Sequence, residues 1–102
     1  MSDILTRTVA RAGQIVTLLG AAGFPVSQVT VTRAYGVEAH LAPDAPNRSA
    51  WQALAVTGMK PTRAQHYPDH DEPFTVAHGT YKGTPVLVFG DHEPDCDKEA
   101  AA

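Results

Sequence analysis

The segment from Phe74 to Phe89 constrains the fold more than any other part of this sequence. Two runs rich in β-branched and aromatic residues flank the dipeptide Lys82-Gly83, which predicts a hairpin with strands Phe74–Tyr81 and Thr84–Phe89. Every residue of Val86–Phe89 is apolar, as is typical of a strand that is buried on both faces. We therefore expect the last strand to lie in the centre of a sheet.

An amphipathic helix is predicted within the first twenty residues. Its apolar residues recur every three or four positions, and the predicted stripe comprises Leu5, Val9, Ala12, Val16 and Leu19. Ser2 or Asp3 can cap the start of the helix. Gly23 and Pro25 end it, because glycine accepts a left-handed conformation and proline cannot continue a helix.

The intervening sequence supplies the remaining elements. Alternating apolar and polar residues predict a hairpin from Val26–Thr32 and Val37–Leu41. A short helix capped by Asn47 or Ser49 follows, and Thr62–Tyr67 is predicted as a short edge strand.

Together these elements predict an α+β fold with the order α-β-β-α-β-β-β. Strands that pair with their sequence neighbours form a mainly antiparallel sheet of about five strands, with two helices packed on one face. A chain of 102 residues has the length of one domain, which we place at residues 1–92. Residues 93–102, acidic and ending in alanines, are expected to form a flexible tail.

Composition and charge restrict the expected partners. The chain carries 8 basic and 11 acidic residues, and its basic residues are dispersed, whereas phosphate binding requires clustered Lys and Arg. No apolar run approaches the roughly 18 residues of a membrane span, and the first residues lack the pattern of a secretion signal. A single cysteine excludes an intrachain disulfide and favours a reducing compartment. We therefore expect a cytoplasmic protein that binds neither nucleic acid nor membranes.

Potential metal ligands are concentrated in the loop His66–Glu72. Imidazole and carboxylate groups bind zinc and similar divalent ions, and closely spaced residues on a loop can converge on one ion. The candidate ligands are His66, Asp69 and His70, to which the segment after the last strand could add His92 or Cys96. Their spacing matches no established zinc motif, so a solvated acidic loop is the competing interpretation.

The sequence indicates no catalytic residues. None of its serines lies in a Gly-x-Ser-x-Gly elbow. Cys96 is surrounded by acidic residues, which disfavour a reactive thiolate, and we expect an exposed cysteine without a role. Alternation places His40 on the solvent face of its strand and His78 on a partly buried face, where a histidine is usually a hydrogen-bonding residue.

Three tyrosines favour a role in protein recognition. Tyr35 is placed at a hairpin tip, Tyr67 beside the acidic loop and Tyr81 near the second turn. Exposed tyrosine is enriched in recognition surfaces because it offers a large contact area at a small entropic cost. In the competing interpretation each ring lies flat on its own sheet.

The run Gly79–Gly90, together with the alanine-rich leading helix, resembles small uncharacterised proteins of actinobacteria and their phages. In those proteins a similar glycine-threonine-aromatic strand pair closes the domain. The resemblance implies an accessory gene product, phage- or plasmid-borne, that acts by binding. It implies no activity and no site residues.

Two functional hypotheses follow. The first is a noncatalytic binding or assembly module, without a cofactor, that engages a host protein or a second copy of itself. The alternative is a divalent metal site, for zinc or a similar ion and with hydrolytic chemistry as one use, built from the His66–Glu72 loop and His92.

Overall fold

The computed structural model describes residues 3–97 as an α+β fold of two helices and five strands. The elements are α1 Asp3–Ala21, β1 Val26–Thr32, β2 Gly36–Leu41, α2 Ala50–Val56, β3 Arg63–Tyr67, β4 Phe74–Tyr81 and β5 Thr84–Asp91. The predicted element order is confirmed. Strand β5 continues to Asp91 where the sequence predicts an end at Phe89.

The five strands form one sheet in the order β1-β2-β5-β4-β3. All neighbouring pairs are antiparallel except β2 and β5, which run parallel. The predicted fold class, the central place of β5 and the edge position of β3 are therefore confirmed. The parallel pair joins strands that are distant in sequence, and pairing between sequence neighbours did not predict it.

Helix α1 contacts the sheet through Thr8, Ala12, Ile15 and Leu19, which recur every three or four residues. The prediction that Val9 lies on this stripe is wrong, since its side chain is 55% exposed. Val9 is one position past Thr8, which turns it by about 100° away from the sheet. Of the two predicted caps, Ser2 lies outside the described residues, and Asp3 is the first residue of the helix itself.

Helix α2 has only seven residues and is held by its ends and by tight packing. Ser49 is the N-cap, as predicted, and its hydroxyl accepts a hydrogen bond from the backbone N–H of Gln52 (3.1 Å). Leu54 of α2 and Met59, which lies just after the helix, are fully buried. They belong to the same core cluster as Ile15 of α1, so both helices pack on one face of the sheet.

Two glycines let the segments that flank α2 approach the sheet. At Gly90 on β5, a Cβ atom would overlap the carbonyl oxygen of Arg48, and at Gly79 on β4 it would overlap that of Met59. In each case the next backbone N–H along the strand donates to that same oxygen, at 2.8 Å for Arg48 and 2.9 Å for Met59. The absence of side chains at these two positions thus sets where α2 lies.

Within residues 3–97, neither helix has the length and hydropathy needed to cross a membrane.

Candidate functional site

The sheet face opposite the helices, here called the open face, carries the first candidate site. Strand register aligns one residue from each strand across it, and this central row is Thr30, Glu38, Leu87, His78 and Arg63. In the described part of the chain both helices belong to the other face, so no helix covers this one. The open face is the surface on which the strands can meet a partner.

Stacked rings cross the open face from one edge to β2. Tyr67 of β3 stacks on Phe74 of β4 with centroids 4.6 Å apart, and Phe74 in turn lies 6.0 Å from Phe89 of β5. Phe89 stacks on the imidazole of His40 of β2 at 4.2 Å. The prediction that His40 lies on the solvent face of its strand is confirmed, and its imidazole belongs to this aromatic row.

Opposite charges stand on either side of the apolar centre. Arg63 and Glu38 lie at the two ends of a row of four neighbouring strands, with Leu87 and His78 between them. Three strand spacings of about 4.8 Å separate their backbones by roughly 14 Å. The open face therefore carries a positive and a negative group in symmetric positions about its centre.

A shallow groove of about 520 Å³ runs along this surface between Tyr35 and Tyr67. The side chains of these two residues are 63% and 41% exposed. Tyr81, the third predicted interaction residue, lies elsewhere: it packs against the core on the helix-covered face, with the Lys82 ammonium 5.3 Å from its ring centroid. The structure thus brings two of the three tyrosines onto one surface.

His78 is partly buried in the centre of the groove, as predicted. Its Nε2 lies 2.9 Å from Oε1 of Gln65, so the N–H donates to the amide oxygen. Burial lowers the pKa of His78, and the positive charge of Arg63 lowers that pKa further. This histidine is held in its neutral form more firmly than an ordinary surface histidine.

A second candidate site, here called the His66 cluster, consists of His66 on β3 with Cys96 and Asp97 from the turn after β5. Nε2 of His66 lies 3.4 Å from Oδ1 of Asp97, and its Nδ1 lies 3.0 Å from the hydroxyl of Thr75. Burial raises the pKa of the Cys96 thiol, and Glu93 and Asp97 add to the rise. The prediction of an exposed cysteine is wrong, because Cys96 is partly buried.

The predicted metal ligands are divided between the two faces of the sheet. His66 and His92 lie together on the helix-covered side, with ring centroids 6.1 Å apart. His70 instead packs edge-on against Phe74 of the open face, and Asp69 is exposed on the loop. The structure therefore brings Cys96 and Asp97 to His66, where the sequence analysis placed Asp69 and His70.

The sequence did not identify every residue that forms the two candidate sites. It identified Tyr67 but not Phe74 and Phe89, although their alternation along β4 and β5 assigns both rings to one face. It offered Cys96 as an optional ligand but placed it in a flexible tail, whereas Glu93 of the same segment donates its backbone N–H to Thr75 at 2.8 Å. Once the order of strands is known, the period of two would have identified the aromatic row.

Comparison of the chain with protein-family models, curated proteins and solved structures found no match in any of the three. The class of protein is therefore defined by the fold and surface alone: an α+β domain with one helix-covered and one open sheet face.

Proposed function

We propose that this protein is a noncatalytic binding module that assembles with a second copy of itself through the open face. The observation that carries the proposal is the central row, in which Arg63 and Glu38 flank Leu87 and His78 at symmetric positions. A two-fold interface pairs a surface with itself, so such a surface must be self-complementary. This one is.

The symmetry that matches the charges can be derived from the strand order. A two-fold axis that runs parallel to the strands, between β5 and β4, exchanges the position of β2 with that of β3. In a face-to-face pair of sheets, Glu38 then opposes Arg63 of the second copy, and this contact occurs twice. An axis across the strands would oppose Arg63 to Arg63, which like-charge repulsion disfavours.

The same axis also relates the residues of the neighbouring row. It places Phe89 of β5 across from the buried Val76 of β4, and His40 of β2 across from Gln65 of β3. Two sheets that pack face to face lie about 10 Å apart with side chains interdigitated, and aromatic residues dominate the energetics of such contacts. Tyr35 and Tyr67, at the two ends of the groove, form the rim of the interface.

The other parts of the binding hypothesis remain predictions. In the competing hypothesis, a host protein binds to the open face. A phage- or plasmid-borne origin rests on the resemblance of Gly79–Gly90, and a cytoplasmic location rests on the single cysteine.

Charge reversal tests the interface. Glu38→Arg and Arg63→Glu each place like charges in opposition, and we expect each to raise the dimer dissociation constant at least about tenfold, or about 1.4 kcal/mol. When the two variants are mixed, every opposed pair is again Arg with Glu, and the mixture should dimerise. Sedimentation velocity over a dilution series measures both effects, with Arg7→Glu on the exposed side of α1 as the matched control.

Three results would contradict self-association through the open face. They are a wild-type chain that is monomeric at every concentration, variants that dimerise as well as the wild type, and a mixture that stays monomeric. If the chain is a monomer and binds a different purified protein through these residues, the open face would instead be the binding site for a host protein.

A further inference from the structure

The His66 cluster has the composition and spacing of a metal site. One ligand atom from each of His66, Cys96 and Asp97 lies within 4.8 Å of the other two. Two nitrogen or oxygen ligands at about 2.0–2.1 Å from zinc, at the tetrahedral angle, are about 3.3 Å apart. The 3.4 Å between Nε2 of His66 and Oδ1 of Asp97 matches this separation.

The hydrogen bonds around His66 suit a metal ligand. Nδ1 of the imidazole lies 3.0 Å from the hydroxyl of Thr75, a fully buried residue that also accepts the backbone N–H of Glu93. When Nδ1–H donates to this hydroxyl, the lone pair of Nε2 faces Asp97 and Cys96. Histidine ligands of zinc are commonly oriented by such a second hydrogen bond.

His92 provides an independent observation on the same side of the sheet. Its Nε2 is buried and forms no hydrogen bond with any described residue, and its ring centroid lies 6.1 Å from that of His66. A buried imidazole nitrogen without a partner costs free energy. An ion bound at the His66 cluster, or a water molecule on that ion, is one candidate for this partner.

We propose that His66, Cys96 and Asp97 bind a zinc ion, which leaves the fourth position of a tetrahedral site open. A thiolate, an imidazole and a carboxylate together favour zinc over magnesium or calcium, which prefer oxygen ligands alone. The thiolate and the carboxylate balance the double positive charge of the ion. Zinc would connect the segment after β5 to the edge strand β3, and so hold this edge of the sheet in place.

Cobalt(II) is the probe that tests this site, because its spectrum reports on the ligands. We expect the metal-free full chain to bind one cobalt ion, with the d–d bands of tetrahedral cobalt and a thiolate-to-cobalt charge-transfer band. Zinc should displace the cobalt and raise the melting temperature. Cys96→Ser should abolish the charge-transfer band and weaken zinc binding beyond the about 10–100-fold that the loss of an outer-shell partner costs.

Variants of the loop residues supply the control. His70→Ala and Asp69→Asn remove potential ligands that lie away from the His66 cluster, so both should retain the cobalt spectrum and the zinc affinity. Melting of each variant without metal checks that the fold is intact.

Several outcomes would overturn the proposal. A wild-type spectrum without the charge-transfer band shows that Cys96 is not a ligand, and equal zinc affinity in His66→Ala excludes the histidine. Either result overturns a site formed by all three residues. The site is separate from the open face, so Glu38→Arg should bind zinc normally whether or not the chain self-associates.

Discussion

The imidazole of His40 on β2 lies flat against the ring of Phe89 on β5, with centroids 4.2 Å apart and ring planes 9° from parallel. The two residues are direct partners in the parallel pair of strands. Phe89 also contacts Phe74 of β4. One ring therefore links three strands of the open face, and it does so where the two distant parts of the chain meet.

Removal of this ring should weaken the sheet measurably. We expect Phe89→Ala to lower the free energy of unfolding by about 3 kcal/mol or less. Fully buried phenylalanines lose about 3–5 kcal/mol on this change, and the Phe89 ring is only partly buried. Urea unfolding measures the loss. Phe89→Leu, which keeps an apolar side chain, is the control and should lose less; a loss near zero in Phe89→Ala would show that the stacking contributes little.

The close approach at Gly90 predicts opposite effects for two glycine-to-alanine changes. Gly90→Ala puts a methyl group against the Arg48 carbonyl and 2.9 Å from the backbone nitrogen of Ala50, and overpacking of this kind costs about 1–3 kcal/mol. Gly13→Ala lies within α1, where a Cβ meets nothing within 4 Å, and should stabilise by up to about 1 kcal/mol. Thermal and urea unfolding compare the two. Equal effects would mean that the backbone can move away at Gly90.

The lowered pKa of His78 predicts a dependence of stability on pH. Between this lowered pKa and the ordinary value of 6.5, the unfolded chain binds more protons than the folded chain, so stability falls as the pH decreases through this range. We expect His78→Gln, which can still donate to Gln65, to lose less stability than the wild type between about pH 7.5 and about pH 5.5. Urea unfolding at both pH values provides the comparison. An identical loss in the two proteins would assign the pH dependence to the other histidines.

Local patterns predicted the elements that depend on local chemistry. The Lys82-Gly83 turn, the apolar run of β5 and the cap of α2 each act within a few residues. The structure has the first two where the sequence placed them, and the cap is Ser49, one of the two predicted residues. The parallel pairing of β2 with β5 depends instead on how two hairpins meet, and no local signal encodes it. The error at Val9 has a related cause, since an apolar residue next to a wide stripe can lie on either side of its boundary.

The candidate sites were less predictable because each depends on that same arrangement. Arg63 and Glu38 become members of one row only when β2, β5, β4 and β3 lie side by side. Cys96 approaches His66 only because the segment after β5 is held near the start of β4, where the backbone N–H of Glu93 donates to the hydroxyl of Thr75. His66 and Cys96 could each be identified as a candidate ligand from the sequence, but their proximity to one another and to Asp97 could not.

The parallel pairing of β2 with β5, here called the parallel seam, also has a consequence for how the chain folds. In the described structure β2–β5 is the one strand pairing between the first hairpin and the three strands from Arg63 onward. Each side of the seam is a set of near-neighbour contacts that can form early, whereas the seam closes a long loop and cannot. We expect the two sides to fold separately and to dock late, so that weakening the seam speeds unfolding far more than it slows folding.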